Sequence, residues 1–210
     1  TYGFSSILLG QGTLTFTGGA VVNVSGTIQV AHNDIVGITT GDLRATLNIE
    51  SGSVSTQGFI VGNTNIGGTG QGGMRAIGTI HQSGGTVNTT GDAGEGNGIR
   101  LGHWGTGFGY YNLSAGTLTI GGNFALSTAT DGTGVFTQTG GTGSANQIDL
   151  NSRTNNSGNG AIGLFGGTFN VGAGGIVSDF ATAPATINLG GGTIVASAQW
   201  ANPVTLAMNL

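Results

Sequence analysis

Apolar and polar residues alternate along this chain in short stretches that return in a fixed order. The first stretch of each round reads Leu14-Thr15-Phe16, Leu47-Asn48-Ile49, Ile80-His81-Gln82, Tyr111-Asn112-Leu113, Phe136-Thr137-Gln138, Ile162-Gly163-Leu164 and Ile187-Asn188-Leu189. A pair of small residues follows, whose second member is Gly19, Gly52, Gly85, Gly116, Gly141, Gly167 or Gly192. These glycines recur every 25 to 33 residues or so (about one supersecondary unit), the spacing of stacked repeats. Two places beyond each stands another apolar residue: Val21, Val54, Val87, Leu118, Phe169 and Ile194, with Gly143 breaking the run. After a variable gap comes a third apolar pair, Ile28/Val30, Phe59/Val61, Ile99/Leu101, Phe124/Leu126 and Ile148/Leu150, fading at Ile176 and Trp200. Successive side chains of a strand point to opposite faces, so this period of two marks half-buried strands.

Each round therefore predicts three short strands separated by turns. A unit of that size cannot bury its apolar face alone, but stacked copies can. Equivalent residues in successive rounds then form inward ladders about 4.8 Å apart, with Tyr111 beside Phe136 as an aromatic pair. The glycine pair falls where the chain turns a corner, because only Gly takes a positive φ freely. The expected fold is all-β: a right-handed single-stranded parallel β-helix of about seven coils, three short strands per coil. Residues 1–210 form one domain in this reading, a rod of roughly 34 Å. Extra residues, from Gly62 to Ile77, Thr90 to Gly98 and Gly102 to Gly109, predict loops on the outside of the stack. Val204 to Leu210 reads as a strand interrupted mid-repeat, which suggests a piece of a longer repeat protein or a filament subunit.

Composition sharpens the picture. Of 210 residues 46 are Gly, 2 are Pro and none is Cys, while 37% are hydrophobic and 6% charged. Ordinary domains carry about a quarter charged residues, yet the Val, Ile, Leu and Phe content is too high for a disordered chain. The absence of Cys excludes a disulfide framework and thiolate metal sites. A net charge of −4, with Arg44, Arg75, Arg100 and Arg153 as the only Lys or Arg residues, gives no pull toward nucleic acid. No apolar run approaches the roughly 18 residues of a membrane helix, so no membrane insertion of this segment is expected.

Three segments carry a family resemblance: Ala185 to Leu206 (ATINLGGGTIVASAQWANPVTL), Tyr111 to Ile120 (YNLSAGTLTI) and Gly78 to Val87 (GTIHQSGGTV). They resemble the autotransporter-associated β-strand repeat. The resemblance covers most of the chain from about Leu14. It implies a passenger-type parallel β-helix of a bacterial surface or secreted protein, and no catalytic residues transfer with it.

The chemistry-bearing residues are scattered. His32, His81 and His103 occupy different register positions, none at ligand spacing, and read as solvated surface histidines. Asp149 and Arg100 are expected outward, two coils apart, and Asp92 and Glu95 share a loop without a partner. Polysaccharide hydrolysis needs two carboxyl groups facing one bond, which this pattern does not supply. GGTGQGG and GGTGSAN place Gly72 and Ala145 where calcium-binding nonapeptides need Asp, and no glycine run has a P-loop Lys. Ser53, Thr86, Thr117, Thr142, Thr168 and Thr193 predict an outward hydroxyl column. An ice-binding surface is one reading of it; the preference of Thr for strands explains it more simply. Arg75, Asp92, Glu95, His103, Trp104 and Phe108, in or beside the insertions, are the candidate partner-binding residues, and with Tyr110 the aromatic ones suit sugar rings.

The expected function is a non-enzymatic, extracellular or cell-surface structural or adhesive protein without a cofactor. Its expected partners are further copies joined end to end, or surface glycans.

Overall fold

The structure is a computed structural model that describes residues 1–32, 41–64, 75–91, 97–128, 131–152, 158–179, 184–200 and 208–209. Every regular element among them is a β-strand. β1 (Tyr2–Phe4), β2 (Ile7–Leu9) and β3 (Gly12–Phe16) precede β4 (Val21–Val24) and β5 (Thr27–His32). β6 (Leu43–Ile49), β7 (Ser53–Thr56) and β8 (Gly58–Asn63) form the next round. β9 (Ala76–Thr89), β10 (Asn97–His103), β11 (Phe108–Leu126), β12 (Thr133–Asp149) and β13 (Asn159–Val177) follow. β14 (Ala185–Leu189), β15 (Thr193–Ala196) and β16 (Met208–Asn209) close the series.

All pairings among these strands are parallel, and they sort into three ladders. The first runs β3–β6–β9–β11–β12–β13–β14–β16. A second runs β1–β4–β7–β9–β11–β12–β13–β15. The third runs β2–β5–β8–β10–β11–β12–β13. Because the long strands belong to more than one ladder, the three join into one 16-stranded sheet that wraps nearly closed, in a barrel-like, solenoid-like architecture.

The inward columns follow the repeat. Leu14, Leu47, Ile80, Tyr111, Phe136, Ile162 and Ile187 pair in sequence order, and all but Leu14 are buried. Tyr111, Phe124, Phe136 and Phe169 form a dry aromatic cluster, with Phe124 edge-on to Phe136 at 5.0 Å and Tyr111 tilted against Phe136 at 6.0 Å. Burial pushes the Tyr111 phenol well above its ordinary range; its hydroxyl donates to Gln82 Oε1 at 2.7 Å. Gln82 and Gln138 fill inward positions among leucines, and each amide nitrogen donates to corner carbonyls. Gln138 Oε1 has no corresponding donor, because Ile162 stands where Tyr111 stands for Gln82.

Four expectations need correction. The corners of the later rounds are not breaks: β9, β11, β12 and β13 run through them, with register shifts in place of separate turns. In the first round it is Val22, not Val21, that pairs with Val54 and points inward. Gly18 and Gly19 both adopt positive φ there, and the extra residue of their turn shifts the register by one. The third column does not fade at Ile176, which pairs with Ile148 and is buried. Nor does it begin at Ile28, since Ile7 pairs ahead of it.

The repeat glycines adopt positive φ at Gly19, Gly52, Gly85, Gly116, Gly141 and Gly167; in the last round the positive φ belongs to Gly191, not Gly192. From Gly52 onward these corners touch: a β-carbon on Gly116 would come within 2.4 Å of the Gly85 carbonyl oxygen. At Gly19 nothing lies within 4 Å of such a carbon. Gly19→Ala therefore meets only left-handed strain, about 1 kcal/mol, whereas Gly116→Ala must also force two neighbouring strands apart. We expect urea unfolding to show Gly116→Ala destabilised by about 3 kcal/mol or more, against about 1 kcal/mol for Gly19→Ala. Equal midpoints would contradict the close packing.

Candidate functional site

A group of the buried polar residues gathers at one corner. Val30, Val61, Leu101 and Leu126 of the third ladder are followed by Ala31, Gly62, Gly102 and Ser127, all with φ between 55° and 69°. A left-handed residue at this place turns the next side chain inward as well. His32, Asn63, His103 and Thr128 are accordingly buried, and His32 pairs with Asn63, which pairs with His103. Holding Ala31 and Ser127 in that conformation costs on the order of 1 kcal/mol each.

Hydrogen bonding fixes the state of His103. Arg100 Nη1 lies 3.3 Å from His103 Nε2. A guanidinium only donates, so Nε2 accepts and the ring proton sits on Nδ1. Nδ1 then donates to Thr128 Oγ1 at 2.5 Å. His103 is thus a neutral relay between Arg100 and Thr128, built into the corner.

Two surface assignments are overturned here. His32 and His103 are not solvated: they are buried and share one column, with Asn63 between them. His81 is the exposed one. Arg100 and Asp149 are not outward residues in water either, being 5% and 4% exposed, and Ala125 separates them in the ladder. The sequence carries a signal for this corner: a small residue followed by a polar one in Val30-Ala31-His32, Val61-Gly62-Asn63, Leu101-Gly102-His103 and Leu126-Ser127-Thr128. Alignment on the apolar pair alone stops one residue short of it.

Asp149 has the most perturbed carboxyl among the described residues. Burial first, and the neighbouring Asp179 second, push its pKa up to about 7, against hydrogen bonds from Ser152 and the amides of Asn151 and Asp179. No group of three or more His, Asp or Glu side chains converges to hold a metal ion among the described residues, and no helix there is long and apolar enough to cross a membrane.

The loop residues singled out from the sequence are only partly brought together. Asp92 and Glu95 lie outside the described residues. Arg75 is exposed just before β9, and its carbonyl accepts from Leu43 N at 2.9 Å. His103 is buried, and Trp104 lies edge-on to it at 5.5 Å. Trp104 itself is 37% exposed with φ 59°, and its carbonyl accepts from Thr64 Oγ1 and from Gly107 N. Phe108 starts β11 on the outer side of the first ladder, half-buried between Ile77 and Thr133.

No protein-family model, curated protein or solved structure matches this chain.

Ser53, Thr86, Thr117, Thr142, Thr168 and Thr193 pair in an unbroken column on the second ladder. Beside it run Ser55, Asn88, Thr119, Ser144, Asn170 and Val195. On the outer side of the first ladder His81 meets Tyr110 edge-on at 6.0 Å, and Phe165 is 48% exposed. Phe165 escaped the sequence reading because it falls just outside the aligned triplets.

The Asp149 carboxyl has a measurable consequence. Its native pKa lies above the ordinary value of 3.8, so between those two pH values the native state holds a proton that the unfolded chain has released. Stability from this group is therefore full at acid pH and lost as pH rises toward about 7. We expect Asp149→Asn to raise the unfolding free energy measured in urea above wild type at pH 8, by on the order of a few kcal/mol, with the gap closing toward pH 4. A gap unchanged with pH would contradict the assignment.

Proposed function

We propose that the chain winds as a right-handed parallel β-helix of about seven coils and serves as a non-enzymatic, extracellular structural or adhesive rod that associates end to end. The segments resembling autotransporter-associated repeats support a bacterial surface or secreted setting. Support for the winding comes from the three parallel ladders, each joining a residue to its equivalent in the next round. The unpaired sides of β1, β2 and β3 support the association. An open strand edge offers unpaired amide and carbonyl groups to another chain.

The observation that carries this reading is the apolar character of that edge. Tyr2 is 59% exposed, Phe4 and Leu8 are also exposed, and a cavity of about 290 Å³ opens between Tyr2, Phe4, Phe16 and Val22 into the core. Proteins that avoid edge pairing place charges or prolines on such strands; here Tyr2–Phe4 and Ile7–Leu9 carry neither.

Electron microscopy and light scattering of the 210-residue chain test the association. We expect concentration-dependent linear assemblies, and we expect Phe4→Lys combined with Leu8→Lys to return them to monomers without lowering thermal stability. Monomers at every concentration and salt level would overturn the reading.

A further inference from the structure

We propose that the outer face of the first ladder binds a neutral polysaccharide lying obliquely across it, with Phe165 and Tyr110 each stacking on a sugar ring. Phe165 is the starting point. Gln138 pairs with Leu164 and Thr139 with Gly166, so Phe165 is the extra residue of a β-bulge. A bulge re-aims a side chain, and this one lays the ring back over the sheet. A β-carbon on Gly163 would come within 2.6 Å of Phe165 Cε2, and one on Gly190 within 2.5 Å of its Cδ1. The ring thus rests on two glycines, and its 48% exposure leaves apolar surface facing solvent.

Tyr110 supplies the second ring. It lies half-buried on the same face, held edge-on by His81. Asn112, next but one to Tyr110, pairs with Thr137, and Thr137 pairs with Gly163 under Phe165. Two register steps along the axis, about 10 Å, and two residues along the strand, about 7 Å, therefore separate Tyr110 from the glycine under Phe165, about 12 Å in all, a span of two to three sugar rings. Asn112 and Thr137 stand beside the line that joins them.

Charge selects the ligand class. The two outer columns that hold Tyr110 and the glycine under Phe165, from Thr13 to Thr186 and from Thr15 to Asn188, contain no Asp, Glu, Lys or Arg at their paired positions; a third outer column, through Ile77 and Phe108, includes Arg44. Nearby Arg44 is paired with Asp42 at 2.7 Å. An uncharged strip of rings, amides and hydroxyls complements an uncharged chain whose C–H faces stack and whose hydroxyls exchange hydrogen bonds. At these two columns it gives an anionic polymer no counter-charge. This face is separate from the ladder ends, so the inference stands or falls independently of end-to-end association.

Affinity electrophoresis of the full chain through gels containing hydroxyethyl cellulose, mixed-linkage β-glucan or galactomannan, with alginate as an anionic control, tests the proposal. At least one neutral polymer should retard the protein, and alginate should not. Phe165→Leu and Tyr110→Ala should each weaken retardation about tenfold, the scale of one lost stacking contact. Phe165→Tyr should retain it, and Val195→Ala, on the second ladder, should leave it unchanged. Circular dichroism and melting midpoints verify that each variant is folded, and the Phe165→Leu and Phe165→Tyr pair preserves the core in any case. Retardation by alginate alone, by none of the polymers, or undiminished in Phe165→Leu would overturn the proposal; the last result would identify a general apolar docking patch.

Discussion

At the glycine corners a carbonyl oxygen of one round occupies the space that a β-carbon of the next would need. This contact recurs from Gly52 through Gly85, Gly116, Gly141 and Gly167, each against the preceding corner. It brings backbone directly onto backbone and so fixes the register of the ladders on either side. Once the register is fixed, Leu47 must meet Ile80, Ile80 must meet Tyr111, and the whole interior follows. A sheet with half-buried strands is sensitive to a one-residue slip, because the slip would exchange its inner and outer faces. The first round shows the point in miniature. Gly18 and Gly19 form a looser turn with no neighbouring round beneath it, and there the inward residue changes from Val21 to Val22.

The second corner solves a different problem. Small left-handed residues after the third-ladder pair turn polar side chains inward, and a buried polar group must find a partner there. His103 bonds to Arg100 within its own round and to Thr128 of the next. Gln82 does the same with Tyr111 and the carbonyls of the glycine corner. Polar groups inside and aromatic groups outside are thus both consequences of backbone geometry: αL corners aim the first inward, and a bulge lays Phe165 on the surface.

Much of this was legible in the amino-acid sequence, for a definable reason. Period-2 alternation and the glycine spacing are properties of single residues, and they located the inward columns of the first ladder and the hydroxyl column of the second. What stayed hidden depends on pairs of rounds. Alternation places Arg100 and Asp149 on the outer side of their strands, yet both are buried, so the side of a strand is not the same as contact with water. His32 and His103 looked unrelated because the residues between them differ in number from round to round, while the ladders keep equivalent positions together. Phe165 was invisible because a bulge can be recognised only against the partner strand.

The central claim is that equivalent residues of successive rounds lie one above another, so distance along the molecule grows by one strand spacing per round. The chain has no Cys, so pairs of spin labels can be placed cleanly on the hydroxyl column, at Ser53 with Thr117, Thr168 or Thr193, through Cys substitution. Pulsed electron paramagnetic resonance should give separations that increase by about 4.8 Å for each register step, reaching about 24 Å over the five steps from Ser53 to Thr193. A Ser53–Thr193 separation no longer than Ser53–Thr117 would contradict the stacking, and with it everything that depends on the ladders.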